Sequence, residues 1–168
     1  GKMTRKAKEL GMKETVFRNA SGLPSAGQVT TARDMAILAR ALIARFPDYY
    51  PYFSIQSFTY KGRTYRSHNR VLSSYKGADG LKTGYIRASG YNLATSARRD
   101  GRRLIGVVMG GKTAKSRDLQ MAQLLDRCFT TVSKKSNLKT ASLPDISAVA
   151  AVPATTKTTK TIAAVPAI

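Results

Sequence analysis

The sequence predicts an α+β domain in which an antiparallel sheet packs against helices. Two stretches, TTARDMAILARALIARF at 30–46 and KSRDLQMAQLLDRCF at 115–129, carry apolar residues at helical spacing. Between them, strand-like segments flank two turn dipeptides, Lys61-Gly62 and Asp100-Gly101. Apolar residues make up 42% of the 168, enough for one core, and no run approaches the length of a membrane span.

In chain order, MTRKAKEL (3–10) reads as the end of a helix with Gly11 as its cap. ETVFRNASGLPSAGQ is loop-like, being rich in Asn, Ser, Gly and Pro. Thr30 or Thr31 caps the next helix and Asp34 favours its first turn. Met35, Leu38, Leu42 and Phe46, with Ala39 and Ile43, form its apolar stripe, and Pro47 ends it. After Pro51 the pattern turns to strands, YFSIQSFTY (52–60) and RTYRSHN (63–69), with a further short strand at 79–86. GYNLATSARR and RRLIGVVMG form the clearest hairpin, and the nearly continuous apolar run of the second arm suggests a central strand covered on both faces. Leu119, Ala122, Leu125 and Phe129 mark the last helix. The composition shifts at about residue 131 to Ala, Thr, Val, Pro and Lys without a period. This divides the chain into a globular part, 1–130, and a low-complexity tail, 131–168, expected to be disordered.

Twenty-nine Lys and Arg against nine Asp and Glu give a formal charge of +20, which favours an anionic partner. The basic residues are dispersed, do not interleave with aromatics and match no zinc-finger or RNA-binding signature, so specific nucleic-acid recognition is not expected. One cysteine, Cys128, excludes an internal disulfide and reads as a core thiol beside Leu124, Leu125 and Phe129. The single histidine, His68, has no metal-ligand neighbours and no support as a triad base, so neither a metal nor another cofactor is expected.

The motif that carries chemistry is Lys82-Thr83-Gly84, on the strand at 79–86. Its bland reading is a solvated lysine beside a turn. Its chemical reading is a wall for an acyl substrate. An ammonium and a hydroxyl can hold a carboxylate, the glycine lets backbone and substrate approach, and an edge strand can pair with an extended peptide.

In this context the chain resembles the low-molecular-weight D-alanyl-D-alanine carboxypeptidases, the S11 penicillin-binding proteins. AKELGMKETVFRNASGL, TTARDMAILARALI, HNRVLSSYKGADGLKTGYIRASGYNLATSA and RRLIGVVMGGKTAKSRDLQMAQLLDRCF follow that family's order over about residues 3–130. The resemblance implies part of the penicillin-binding-protein and β-lactamase fold, and an envelope or periplasmic location. It implies a serine acyl-enzyme acting on peptidoglycan stem peptides that end in D-Ala-D-Ala, with β-lactams as further ligands. Lys82, Thr83 and Gly84 would bind the substrate carboxylate, Tyr85 would lend its backbone N–H to the oxyanion hole, and Arg117 would stand near the terminal carboxylate.

The family's nucleophile and base stand in Ser-x-x-Lys, followed by Ser-x-Asn, both ahead of Lys-Thr-Gly. Ser73 to Lys76 and Ser67 to Asn69 fit these patterns, but in reversed order, without an evident helix at Ser73. Ser136 to Lys139 lies in the tail. All three are read as chance matches. The nucleophile is therefore expected outside this chain, on an N-terminal segment of the same domain, and the isolated chain is expected to be catalytically incomplete. It is also expected to associate through uncovered apolar surface. A basic, non-catalytic envelope module that binds peptidoglycan or an anionic polymer is the alternative.

Overall fold

The computed structural model describes residues 1–135. The proposed tail lies outside the described residues from 136 onward. The helices are α1 (Lys2–Glu9), α2 (Ala32–Arg45), the one-turn α3 (Val71–Ser74) and α4 (Ala114–Lys135). Strands β1 (Ser57–Tyr60) and β2 (Arg63–Arg66) form a separate hairpin. Strands β3 (Ala78–Ile86), β4 (Gly90–Arg99) and β5 (Arg102–Gly111) form an antiparallel sheet in the order β3-β4-β5. The predicted α+β class, an antiparallel sheet against helices, is the fold observed.

Local chemistry sets the boundaries. Thr31 caps α2 by accepting the Asp34 N–H, which satisfies a donor the helix cannot pair internally. The Asp34 carboxylate is buried and accepts from the Glu14 N–H at 2.9 Å and the Thr15 hydroxyl at 2.6 Å, so the loop after α1 is fastened to the start of α2. Lys61-Gly62 and Asp100-Gly101 are two-residue turns with positive φ at both positions, matching the twist of the strands they join. Gly77, just before β3, has φ +87°. Its carbonyl accepts from the Arg98 N–H at 2.8 Å, and a Cβ there would lie 2.2 Å from the Arg98 carbonyl oxygen.

Helices cover the sheet on both faces. On one face Leu93, Ala97 and Val108 pack with Met121, Leu125 and Phe129, one side of α4 at i, i+4, i+8. On the other, Leu81, Ala94 and Ile105 pack with Ala39 and Ile43 of α2 and with Tyr50 and Phe53. The Tyr50 hydroxyl donates to Asp79 at 3.0 Å, and Arg103 pairs with the same carboxylate at 2.7 Å. Burial raises the Tyr50 pKa to about 12, which keeps this donor protonated.

Several expectations are corrected. Residues 50–54 form a 3-10 helix, with Pro51 in its first turn, so the expected strand 52–60 begins only at Ser57. The strand expected at 63–69 ends at Arg66, and a one-turn helix stands at 71–74. Strand β5 lies at the edge of the described sheet, with β4 in the middle. The expected cover on both faces of β5 is observed, supplied by helices α2 and α4, but its position in the sheet is not central. Phe46 is 50% exposed and does not anchor α2 in the core. Cys128 is half-buried rather than enclosed. No described helix is long and apolar enough to cross a membrane.

Candidate functional site

Strand β3 is the other edge of the sheet. One side pairs with β4, placing Lys82 opposite Ala94, Thr83 opposite Leu93, Gly84 opposite Asn92 and Tyr85 opposite Tyr91. Its second side has no strand partner among the described residues, leaving backbone groups available to a ligand. Along this edge runs a cleft of about 1380 Å³, lined by Lys82, Thr83, Gly84 and Tyr85 and also by Arg117.

The Lys82 side chain is half-buried, and its Nζ donates to the Thr83 carbonyl at 2.8 Å. Burial lowers the pKa of its ammonium below the ordinary lysine value, and among the described residues no carboxylate pairs with it to offset the lost hydration. Such a charge gains by receiving an anion. Thr83 is buried beside it, whereas the Tyr85 ring is 53% exposed and leans on Tyr91 at a centroid distance of 4.4 Å.

Arg117 arrives from a different element. Thr113 and Ser116 form a reciprocal cap at the start of α4: the Ser116 N–H donates to the Thr113 hydroxyl at 3.0 Å, and the Thr113 N–H to the Ser116 hydroxyl at 3.1 Å. The next residue, Arg117, is thereby fixed in the first turn, only 3% exposed. Asp118 accepts from its Nε at 2.9 Å and Nη2 at 2.6 Å, and the Asn92 carbonyl accepts from Nη1 at 3.4 Å. Much of the guanidinium charge is thus met within the protein, and Lys82 is the less compensated cation. Gly111 allows the close approach, because a Cβ there would stand 2.9 Å from the Arg117 Cβ.

Asn92 is a positioning residue that sequence reasoning missed. It is buried at a register shift between β4 and β5. Its carboxamide donates to the Ser89 hydroxyl at 2.9 Å and the Gly90 carbonyl at 3.1 Å, and accepts from the Gly110 N–H at 3.0 Å. It joins the turn after β3 to the end of β5 and, through its carbonyl, to Arg117. An asparagine inside a strand pattern, where that residue is disfavoured, was the available signal.

The motif look-alikes line the same cleft: Ser67, His68, Asn69 and Ser73 all border it. Ser73 is on α3, so a helix does exist there, but the turn ends before Lys76. The Ser73 hydroxyl donates to the Arg70 carbonyl at 3.0 Å, and Lys76 is exposed and does not line the cleft. No serine–lysine pair forms at this place. Among the described residues no group of three or more His, Cys, Asp or Glu could hold a metal.

The family model described as D-alanyl-D-alanine carboxypeptidase matches residues 1–113. The chain is 42% identical over 137 residues to D-alanyl-D-alanine carboxypeptidase DacC of Escherichia coli, covering 79% of this chain and 34% of that protein. It is 40% identical over 140 residues to DacF of Bacillus subtilis, again covering 34% of the relative. The chain therefore spans about a third of the length of these curated relatives. Its fold superposes with a TM-score of 0.73 on penicillin binding protein 5 from Haemophilus influenzae, at 35% identity over 77% of this chain and 38% of that one. The TM-score is 0.70 against penicillin-binding protein D2 from Listeria monocytogenes in its ampicillin-bound form, at 36% identity over 76% of this chain and 54% of that one. With an edge strand bearing Lys82-Thr83-Gly84 along an open cleft and a family match over two-thirds of its length, this chain belongs to the D-alanyl-D-alanine carboxypeptidase family.

Proposed function

We propose that residues 1–130 are the substrate-binding part of the catalytic domain of a serine-type D-Ala-D-Ala carboxypeptidase of peptidoglycan metabolism, working in the cell envelope. The observation that carries the reading is the edge of β3, which has no strand partner among the described residues and where a half-buried lysine, with no carboxylate partner among them, borders a cleft. Lys82 and Thr83 hold the terminal carboxylate of the stem peptide, and Gly84 admits its backbone. The Tyr85 N–H stabilises the oxyanion, and Arg117 adds positive potential behind the carboxylate. A serine hydroxyl adds to the carbonyl of the penultimate D-Ala and passes its proton to a base. The C–N bond then breaks, D-Ala leaves with a proton on its nitrogen, and water hydrolyses the ester.

The serine and its base are supplied from outside these 168 residues. Support comes from the one in-chain match within the described residues, where Ser73 is tied to the Arg70 carbonyl and Lys76 lies beyond the turn. The reading is tested by intact mass after incubation with a penicillin. The chain alone gains no adduct, whereas the full-length protein gains one adduct per molecule, and Lys82→Ala in that protein slows acylation by at least about a hundredfold. A stoichiometric adduct on Ser73 or any other serine of the isolated chain would overturn the assignment. Absence of an adduct on the full-length protein would favour the basic envelope module, whose polymer binding should fade steeply with added salt.

A further inference from the structure

The ladder between β3 and β4 pairs Ala78 with Ala97 and Gly80 with Ser96, so Asp79 is an extra residue on β3 with no partner opposite it. Such a bulge re-aims the side chains that follow it. Groups from three other elements hold it. Arg103 reaches from β5 across β4: its Nη1 stands 2.9 Å and 2.7 Å from the two Asp79 carboxylate oxygens and also donates to the hydroxyl of the buried Ser96. Tyr50, on the 3-10 helix, donates its hydroxyl to Asp79 at 3.0 Å, and its ring lies 5.2 Å from the Arg103 guanidinium. The Thr95 hydroxyl donates to the Gly80 carbonyl. A Cβ on Gly80 would stand 2.6 Å from the Tyr50 hydroxyl, so glycine is what lets the tyrosine close on the strand.

None of these groups lines the cleft, yet Lys82 follows Gly80 by only two residues, about 7 Å of strand. Among the described residues only β4 pairs with β3, so no second ladder resists a slip. A slip of one residue would turn Lys82 and Thr83 each to the opposite face. We propose that Asp79 is a positioning residue for acyl transfer: held by Arg103 and Tyr50, its carboxylate fixes the bulge and with it the register that delivers Lys82 and Thr83 to the cleft. The simpler role, an ion pair that only stabilises the fold, is a weak one here. The Asp79 and Arg103 side chains are 30% and 28% exposed, so water screens their attraction. Screening leaves the geometric constraint in place. The inference rests on the carboxypeptidase reading above.

The test follows penicillin acylation and amide hydrogen exchange in the full-length protein. Asp79→Asn and Arg103→Gln should each slow acylation by about thirtyfold, since a displacement of about 1 Å is enough for a loss of that order. The double variant should be little slower than either alone, because both changes release the same clamp. Exchange at residues 81–85 should quicken by about tenfold in Asp79→Asn while that at 121–129, on α4, stays as in the parent. A purely stabilising pair would not produce this local change. Leu125→Ala is the control: it destabilises the far side of the sheet and should leave acylation of the folded protein within about twofold of the parent. Tyr50→Phe keeps the ring and removes one donor, so it should cost about threefold and serves where Asp79→Asn does not fold. Acylation of the folded variants at the parent rate, or a loss no larger than that of Leu125→Ala, would overturn the inference and leave the carboxypeptidase reading intact. So would unchanged exchange along β3. A parent protein that penicillin does not acylate would remove that reading, and the inference with it.

Discussion

On the α4 side of the sheet, Leu93, Met121 and Leu125 are no more than 1% exposed, whereas on the α2 side Ile43, Phe53 and Ile105 remain half-buried. The helices differ in what they bring to the sheet. Helix α4 presents long side chains at successive turns, which interdigitate with Leu93 and Val108. Helix α2 meets the sheet mainly through Ala39, and its larger residues Met35, Leu38 and Leu42 are half-buried along its flanks. The α4 layer is thus closed by residues of this chain, while the α2 layer gains less from them and retains apolar surface.

Truncation should expose that asymmetry. Leu125→Ala opens a cavity in the closed layer and should lower unfolding free energy by about 2–5 kcal/mol in chemical denaturation. Gly106→Ala should cost about 1–3 kcal/mol, because its Cβ would meet the buried Met121 sulfur at 2.5 Å. Ile43→Ala, in the open layer, should cost only about 1 kcal/mol. Equal losses for Leu125→Ala and Ile43→Ala would break the comparison. Phe46→Ser should change stability by no more than about 0.5 kcal/mol, yet reduce self-association of the isolated chain in sedimentation.

The smallest effect belongs to the sheet's open edge. Burial lowers the Lys82 pKa, so between the folded and unfolded values the unfolded chain binds more protons. Stability from this group should therefore rise as pH climbs through that window toward the ordinary lysine value. Lys82→Met should flatten this part of the pH dependence. A parent protein with the same slope as the variant would show that Lys82 is as well hydrated folded as unfolded.

Features fixed by neighbours in sequence were legible: the Thr31 cap, the two-residue turns, the long helices and Lys82-Thr83-Gly84. Those fixed by distant contacts were not. The apolar run of β5 reports cover on both faces by α2 and α4, and looks the same whether the strand lies at the centre or at the edge of the sheet. Phe53 and Ile55 alternate with Ser54 and Gln56 like strand residues, but Pro51 and the packing of Tyr50 and Phe53 against the sheet wind that segment into a 3-10 turn. The site was half legible for the same reason. The motif announced β3, but the placement of Arg66, Asn69 and Arg70 on the same cleft depends on how the segment from β2 to α3 crosses it. The role of Asn92 depends on a register shift that no local pattern encodes.

Gly77 limits which variants of this chain can be inherited. A side chain there would meet the Arg98 carbonyl oxygen and would also have to adopt φ +87°, so relief of one fault leaves the other. At Gly101 φ is also positive, but no atom lies within 4 Å of the added carbon. A randomised library selected for folded protein should return glycine alone at 77 and admit asparagine or aspartate at 101, so a drifting lineage can alter its hairpin tip while the approach to β3 stays fixed.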